Sequence, residues 1–430
     1  MRVLLFRSLC DTGGVSSWMQ EHARELRRQG ADPEFWFEEA SVRTAEFDRI
    51  GRTTVGPMPV LLRRLERDPF DVVHVSSSDA PAELLTLLRP RPRIVASNRG
   101  ALSDFWDRGN CVARTAVSRD MARLDQPFTD VLVEPILNGL DPTRFSPPAD
   151  RDGGRPILAW VGRTTDIQHK DFPRFTRIVA RLCGPAPRVW IADAHGADWS
   201  AFSFPPCERI EIERWSRVSH DGMPEFYRAV ARTGGLVVMT SPTEGFGWVA
   251  VEAAACGAAV IAPDVVGLRE TVMPGVTGAL FPPGSADSDV ARLVEAWLAG
   301  PAGDPAERQR RAEAARDAFS LETMTRRYLD VYQRRVPLAA PEPRPRHEPG
   351  DPALPILLGR LASTRRWRGR TLVNATRDLL DDGRTDLAAR ALRLAMRRVP
   401  DQLIGPPNNR RVARSAIRIA GRALRGRWRR

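Results

Sequence analysis

Short apolar runs alternate with amphipathic stretches along the first 140 residues, and this alternation limits the chain to one class of fold. The apolar runs predict strands at Val3–Arg7, Glu34–Phe37, Val72–Ser76, Arg93–Ser97 and Val131–Pro135. Apolar spacing near 3.6 residues predicts helices at Trp18–Arg28 and Pro81–Leu88. Strands that alternate with helices in this way form a parallel sheet covered by helices on both faces.

The pattern then breaks and restarts. Asn138–Pro142 is a turn-rich segment, and prolines and paired glycines come after it up to Gly154. Further strands are predicted at Ile157–Val161, Val189–Ala192, Arg209–Glu213, Leu236–Thr240 and Ala259–Ala262. Helices are predicted at Phe172–Leu182, Pro224–Ala231, Trp248–Cys256, Ser288–Ala299, Glu307–Phe319 and Met324–Tyr332. We therefore predict an α/β protein with two Rossmann-like, doubly wound domains at 1–150 and 151–335, a Pro-rich linker at 336–352 and an Arg-rich helical extension at 353–430.

The apolar runs and the cysteines of the sequence indicate the cellular location. No apolar run approaches the roughly 18 residues that a membrane-spanning helix needs, and the apolar stretch after Met1 is too short for a signal peptide. The five cysteines lie far apart without a CxxC pair, which argues against a disulfide framework or a zinc site. These features predict a cytoplasmic protein with reduced thiols.

The basic charge is confined to the end of the chain. Residues 351–430 contain 20 Arg and 6 Asp, a net charge of +14, whereas the whole chain carries +12, so residues 1–350 carry 12 − 14 = −2. Of the 65 basic residues only Lys170 is a lysine. Arginine does not replace lysine where a compact ammonium must fit, and this favours a specific role for Lys170.

The strongest local pattern is Ser241–Gly257, in which a predicted strand enters a loop with two glycines and then a helix. Gly245 and Gly247 allow close approach of the backbone to a ligand, and the free N–H groups at the helix start suit a phosphate. Glu244 in the loop and Glu252 in the helix could each accept the two hydroxyls of a ribose or sugar diol. The plain alternative is a strand–loop–helix joint with a glutamate that favours the helix dipole.

The segment from Glu244 to Gly257, EGFGWVAVEAAACG, resembles the signature of the group 1 (family 4) retaining glycosyltransferases of the GT-B fold. Further matches occur in the same order as in that family. They are Gly13-Gly14-Val15, Ala116-Val117-Ser118, Ile136–Asp141 with Phe145, Gly162-Arg163 with Lys170, and Ala262–Gly267 with Glu270. The shared order over roughly 260 residues makes the resemblance specific, whereas each match alone is weak.

The resemblance implies a glycosyltransferase that binds a nucleotide sugar, such as a UDP- or GDP-sugar, mainly on the second domain and an acceptor on the first. It implies donor-binding roles for Gly14, Arg163, Lys170, Glu244, Gly245, Phe246, Gly247 and Glu252, of which Arg163, Lys170 and Glu244 are also the predicted catalytic residues. Gly13 and Arg99 are placed on the acceptor or sugar side. The resemblance also implies transfer with retention, without a further cofactor and without a divalent metal for the chemistry. The implied acceptor is a glycan or lipid-linked molecule in glycan, cell-envelope or glycolipid synthesis.

Arg163 and Lys170 make chemical sense together. A sugar diphosphate gains negative charge as the glycosidic bond breaks, and two cations aimed at it stabilise the transition state more than the ground state. An ordinary surface arginine would fit Arg163 equally well, whereas the single lysine favours function at 170.

Arg99 departs from the family pattern. Family members commonly have a histidine near the reacting sugar at the end of the strand that matches Arg93–Asn98, and this chain has Arg99 there. His74, at the end of another predicted strand, is expected to support packing.

Other functions stay open at this point. A sugar-nucleotide epimerase or an inverting transferase would use the same fold, although Glu244 and Glu252 together argue against both. A nucleic-acid-binding protein is suggested only by the basic tail, and a scaffold with an inactive transferase body only by Arg99.

The tail contains a basic amphipathic pattern. Arg414, Arg418, Arg422, Arg425 and Arg429 fall in one stripe of a helix over Val412–Arg429, with apolar residues outside it. Such a helix suits an anionic lipid surface, to which each basic residue contributes about 1 kcal/mol. Packing of this helix on the body or on a partner is the alternative. We therefore expect residues 412–429 to hold the protein peripherally on the inner face of a membrane.

Overall fold

The strands form two parallel sheets, one in each half of the chain. The structure is a computed structural model that describes residues 1–10, 13–41, 43–76, 79–99, 111–193, 210–216, 218–340, 372 and 374–398. The first sheet has the order β3-β2-β1-β4-β5-β6-β7, and the second has the order β10-β9-β8-β11-β12-β13. In each sheet the strand order reverses beside the first strand of the half, as in doubly wound nucleotide-binding folds. The predicted α/β architecture is confirmed.

Ten of these strands overlap an apolar run predicted from the sequence. The first sheet comprises β1 (Arg2–Leu9), β2 (Asp32–Glu39), β3 (Thr53–Val55), β4 (Val72–Ser76), β5 (Arg93–Asn98), β6 (Ala113–Ala116) and β7 (Val133–Pro135). The second comprises β8 (Ile157–Gly162), β9 (Arg188–Asp193), β10 (Ile212–Ser216), β11 (Leu236–Val238), β12 (Ala259–Pro263) and β13 (Gly278–Phe281).

Helices cover both sheets. The first half contains α1 (Gly14–Arg28), α2 (Thr44–Asp48), α3 (Met58–Arg67), α4 (Asp79–Leu85) and α5 (Arg119–Asp125). The second contains α6 (Ile167–Lys170), α7 (Phe172–Val179), α8 (Met223–Arg232), α9 (Trp248–Ala255), α10 (Leu268–Thr271), α11 (Asp287–Ala299) and α12 (Pro305–Ala318). Two more helices come after these, α13 (Leu321–Gln333) and α14 (Thr385–Arg398).

Three strands, β3, β6 and β13, were not predicted from the apolar pattern, and each has a physical reason. Strand β3 has three residues and is only partly buried, so it lacks a run of core side chains. Strand β6 has the buried Arg114 in its centre, which interrupts its apolar run. Strand β13 is four residues long and begins with a glycine. The predicted strand Arg209–Glu213 lies a few residues further on, at β10.

Helix α13 lies at the end of the predicted second domain in sequence but packs on the first domain. Its side chains Leu321, Met324 and Tyr328 belong to the same apolar cluster as Val3 on β1 and Trp18 on α1. The helix begins at Ser320, whose hydroxyl accepts a hydrogen bond from the backbone N–H of Thr323. This crossing helix therefore ties the two halves together.

The Arg-rich extension also packs on the first domain as far as the structure describes it. Helical residues 374–381 and α14 bury one apolar face against α3 and α4. That face comprises Leu372, Ala375, Leu379, Leu387, Ala388, Ala391 and Ala395. Three side-chain contacts add to it. Arg384 bonds to Glu66 at 2.7 Å, Arg390 donates to the carbonyl of Leu87 at 3.0 Å, and Asp382 forms an ion pair with Arg63.

The remaining tail features are outside the described residues, namely most of the predicted linker and the predicted amphipathic helix at 412–429. None of the helices in the described ranges has the length and apolar character needed to span a bilayer.

The packing of the extension predicts a stability effect. Leu379 is fully buried against the first domain, and deleting such a side chain costs about 2–4 kcal/mol because a cavity remains. We expect Leu379→Ala to lower the free energy of unfolding of the first domain by this amount in a urea titration. Met396, which is 56% exposed on α14, supplies the control, since Met396→Ala should cost less than about 0.5 kcal/mol. Equal stabilities for the two variants would contradict the packing.

Candidate functional site

A cavity of about 590 Å³ lies between the two domains, at the carboxyl ends of the central strands. In doubly wound sheets, ligands bind at this edge, where the strand order reverses. The lining from the first domain and the inter-domain segment comprises Arg7, Gly13, Gly14, Val15, Trp18, Arg99 and Asn138. The lining from the second domain comprises Val161, Gly162, Arg163, Asp166, His169, Lys170, Thr243, Glu244, Gly245, Phe246, Gly247, Trp248 and Val249. The structure thus brings together every predicted site residue except Glu252.

Lys170 and Glu244 form a direct ion pair in the cavity wall. They come together because β8 and β11 are neighbours in the second sheet, so the loops after these strands meet. Thr240 joins the loops by donating to the backbone carbonyl oxygens of Lys170 and Asp171 at 2.8 and 2.9 Å. Ser241 donates to a Glu244 carboxylate oxygen at 3.0 Å. Both charged side chains are largely shielded from solvent, which strengthens their mutual attraction.

Arg163 holds a second carboxylate in the same wall. Its guanidinium forms an ion pair with Asp166, whose other oxygen lies 2.7 Å from Nδ1 of His169. Burial works to raise the pKa of Asp166, but the hydrogen bonds from Arg163 and His169 outweigh it, so the pKa is lowered. Asp166 and His169 had no assigned role from the sequence. Asp166 lies three residues after Arg163 and His169 three residues after Asp166, and this spacing is the signal that predicts the contacts.

Gly247 explains the sharp turn into α9. Its φ of 95° lies in the left-handed region that favours glycine, and a Cβ there would lie 2.6 Å from Leu268. The turn leaves the first backbone N–H groups of α9 at the cavity, next to Gly245 and Phe246. Such N–H groups are suited to bind a phosphate.

Glu252 lies away from this cavity lining. It is buried within α9, and one of its carboxylate oxygens accepts a hydrogen bond of 3.0 Å from the Tyr227 hydroxyl. Burial raises the pKa of Glu252 and also holds the pKa of Tyr227 well above its usual range. Its donor-binding role stays a prediction.

Arg99 forms the floor of the cavity on the side of the first domain. Its guanidinium lies 3.0 Å above the Trp18 ring and donates to Asn138 at 2.9 Å and to the Tyr328 hydroxyl at 2.7 Å. The side chain is buried, and this burial lowers its pKa to about 10, which still leaves it protonated at neutral pH. Sequence alone did not indicate the partners Trp18 and Tyr328.

Two buried histidines lie behind Arg99. His22 and His74 both contact the hydroxyl of Tyr332, at 2.8 and 2.6 Å. The other ring nitrogen of His74 lies 2.6 Å from the hydroxyl of Ser97, which confirms the expected packing role of this residue. Burial, with the nearby charge of Arg99, lowers the pKa of both histidines well below the usual range. They are therefore neutral in the folded protein.

Several contacts hold the cavity walls together. Trp248 of the second domain packs on Gly14 of the first so closely that a Cβ at Gly14 would lie 2.6 Å from the indole. Glu270 of the second domain accepts hydrogen bonds from the backbone N–H groups of Arg119 and Asp120, at 2.9 and 2.8 Å, and so caps α5 of the first domain. The contact with Trp248 explains why position 14 requires a glycine. Glu270 links the two domains by capping α5.

Comparison with known proteins finds a family model that matches part of the second domain. Residues 212–318 match the model of the family described as glycosyl transferases group 1. The D-inositol 3-phosphate glycosyltransferases of Mycobacterium tuberculosis and Mycobacterium bovis are each 32% identical over an alignment of 232 positions, and the match covers 46% of this chain and 46% of the relative. The match thus spans about half the length of these curated relatives. The group 1 glycosyltransferase resemblance is confirmed.

Solved structures show the same fold over 77% of the chain. A glycosyltransferase from Rickettsia africae has a TM-score of 0.63 at 17% identity and is covered to 97% of its length. Anabaena HepE in complex with UDP-glucose has a TM-score of 0.62 at 16% identity and is covered to 98%. Sucrose-phosphate synthase from Thermosynechococcus elongatus has a TM-score of 0.60 at 18% identity, again with 98% covered. The two-domain GT-B architecture is thereby confirmed.

The buried histidines predict a pH effect on stability. Each is neutral when folded, with a lowered pKa, but takes up a proton when unfolded below about pH 6.5. Acid therefore favours the unfolded state through each histidine, with a slope of up to about 1.4 kcal/mol per pH unit. We expect His22→Gln to reduce the loss of unfolding free energy between pH 6.5 and pH 5 relative to the wild type.

The control keeps the histidine but removes a neighbour. Thr325 contacts Nδ1 of His22 at 3.1 Å and does not titrate. Thr325→Ala should lower the free energy of unfolding at every pH without changing its slope. A wild-type slope in His22→Gln would show that His22 is not held neutral.

Proposed function

We propose that this chain, which carries a group 1 glycosyltransferase domain, transfers a sugar from a nucleoside diphosphate donor to an acceptor hydroxyl. The observation that carries the proposal is the meeting of Lys170 and Glu244 at the cavity, beside Arg163 and the start of α9. These groups supply cations and backbone N–H groups for a diphosphate and a carboxylate for sugar hydroxyls. The solved HepE complexes contain UDP or UDP-glucose, which supports a donor of this class.

The donor would lie mainly on the second-domain wall. Arg163 and Lys170 would bind the diphosphate, together with the N–H groups of α9 and of Gly14 across the cavity. Glu244 would accept hydrogen bonds from sugar hydroxyls. Glu252 remains our proposal for the ribose hydroxyls, although in the structure it bonds to Tyr227.

The ion pair between Lys170 and Glu244 is consistent with a site that alternates between a donor-free and a donor-bound state. Without a donor, each charge neutralises the other in a shielded wall, where an isolated charge is costly. A bound nucleotide sugar offers a diphosphate to Lys170 and hydroxyl donors to Glu244, so both exchange one partner for another. Lys170 then stabilises the charge that grows on the leaving diphosphate as the sugar–oxygen bond breaks.

We propose transfer with retention, in line with the family resemblance. The acceptor oxygen would attack the anomeric carbon on the face that the diphosphate leaves, and its proton would pass to the departing phosphate oxygen. This route requires no protein nucleophile and no divalent metal. The acceptor would be a glycan or lipid-linked molecule held on the first-domain wall, near Gly13 and Arg99.

Two substitutions at the ion pair should have opposite effects on nucleotide binding. Lys170→Ala removes a cation and leaves Glu244 facing the diphosphate, so affinity for UDP or GDP should fall about tenfold or more. Glu244→Gln removes the negative charge, so affinity for the same nucleotide should stay equal or rise. Release of nucleoside diphosphate from the donor sugar should fall about a hundredfold or more in both variants. Calorimetry measures the first effect, and a coupled assay for nucleotide release the second.

Glu211→Gln provides the matched control, since this carboxylate is 55% exposed elsewhere on the second domain. It should leave binding and turnover unchanged. Near-normal turnover in Lys170→Ala or Glu244→Gln would overturn the site assignment. The wild type should also stay active in EDTA; activity that only a divalent ion restores would contradict the metal-independent route.

We further propose that the end of the tail binds an anionic membrane surface. Residues 399–430 contain nine Arg and one Asp, and each basic residue near anionic lipid contributes about 1 kcal/mol. A membrane-held enzyme would meet a lipid-linked acceptor directly. Because residues 374–398 pack on the first domain, a test must leave them in place and remove only residues 399–430.

Removing residues 399–430 should abolish salt-sensitive pelleting with phosphatidylglycerol vesicles and leave nucleotide affinity intact. Vesicles of phosphatidylcholine, which carry no net charge, should not pellet either form. Equal pelleting of the full and shortened chains with anionic vesicles at low salt would rule out membrane docking by this segment. A salt-sensitive shift of an oligonucleotide without vesicle binding would assign the segment to nucleic acid instead.

A further inference from the structure

The first-domain side of the cavity carries two arginines. Arg7 reaches the cavity from β1, and Arg99 from the end of β5. The carboxylates of the lining are Asp166 and Glu244, and each forms an ion pair with a cation of the second domain. Arg7 donates to the Ser16 hydroxyl at 3.0 Å. On this wall, opposite the proposed donor site, Arg99 is the cation whose contacts in the described part of the chain are with neutral groups.

Arg99 is the more constrained of the two. It is only 7% exposed, and its contacts among the described residues are with the neutral groups of Trp18, Asn138 and Tyr328. Its Nε is buried without a hydrogen-bond partner in that part of the chain. Burying a charge without a counter-charge is costly, because the charge loses its hydration. A bound anion would supply a counter-charge to Arg99 and offset this cost.

The surroundings of Arg99 increase this cost. The neighbouring histidines His22 and His74 are neutral, and the charge of Arg7 is close enough to disfavour protonated Arg99. A guanidinium carries five N–H donors, of which Asn138 and Tyr328 each take one. The remaining donors are arranged in a planar fork, which matches a phosphate or a carboxylate.

We propose that Arg99, with Arg7 beside it, binds an anionic group of the acceptor, so that the enzyme selects acceptors with a phosphate or carboxylate near the reacting hydroxyl. This inference rests on the proposed function, because it takes the second-domain wall as the donor site. The diphosphate of the donor already has Arg163, Lys170 and the start of α9 as partners there. An anion on the acceptor gives Arg99 a counter-charge.

The test is a titration of the protein with inorganic phosphate while a saturating nucleoside diphosphate, UDP or GDP, fills the donor site. Calorimetry at constant ionic strength measures the phosphate affinity. We expect the wild type to bind phosphate under these conditions and Arg99→Gln to bind it at least about tenfold more weakly, which corresponds to about 1.4 kcal/mol. Arg99→Lys keeps the charge but loses the planar fork, so it should bind phosphate more tightly than Arg99→Gln and more weakly than the wild type.

Arg93→Gln is the matched control, since Arg93 lies at the other end of the same strand and donates to the carbonyl of Asp71. It should bind phosphate like the wild type. Should Arg99→Gln fail to fold, Arg7→Gln takes its place, with an expected loss of about threefold or more. Phosphate binding that is absent from the wild type, or equal in the wild type and Arg99→Gln, would overturn the inference.

Two further outcomes separate this inference from the proposed function. If phosphate competes with the nucleoside diphosphate, and Arg99→Gln weakens the nucleotide itself, the anion at Arg99 is the donor's own; the inference then fails and the proposed function stands. If neither nucleotide binds the wild type, the proposed function fails. A phosphate titration of the free protein, compared with Arg99→Gln, then shows whether Arg99 holds an anion at all.

Discussion

The site depends on one helix that returns from the second domain to the first. Helix α13 places the Tyr332 hydroxyl between His22 and His74, and the Tyr328 hydroxyl against Arg99. Its apolar side chains pack in the same cluster as those of β1. Helix α13 comes directly after α12, the last helix of the second sheet's half. Its packing on the first domain therefore fixes the position of the two cavity walls relative to each other. The helix therefore joins the two domains and holds Arg99 in place through Tyr328.

The two walls of the cavity differ in how their charges are balanced. On the second-domain wall, Lys170 pairs with Glu244 and Arg163 with Asp166, so each cation has a local partner that a donor can replace. On the first-domain wall, Arg99 has neutral partners only, among the residues the structure describes. A balanced wall suits a ligand that brings both a diphosphate and hydroxyl donors. An unbalanced wall suits a ligand that brings negative charge alone.

The fold was predictable from the sequence because buried parallel strands must be apolar along their whole length. The meeting of Lys170 and Glu244 was predictable too, since the loops after neighbouring parallel strands share one edge of the sheet. Residues whose partners are distant in sequence were not predictable in this way. Arg99 and Tyr328 are separated by 229 residues, and no periodicity links them. The packing of α14 on the first domain is similar, because an amphipathic pattern shows that a face is buried but not against which surface.

The central claim is that this cavity holds a nucleoside diphosphate sugar. Thermal unfolding of the full chain with UDP-, GDP- and ADP-sugars tests it most directly, because a ligand at about a hundred times its Kd stabilises the folded state by about 2.7 kcal/mol. We predict that sugars of one base raise the unfolding temperature of the wild type and raise that of Lys170→Ala by a clearly smaller amount. No stabilisation by any of them, or equal stabilisation of Lys170→Ala, would contradict the claim.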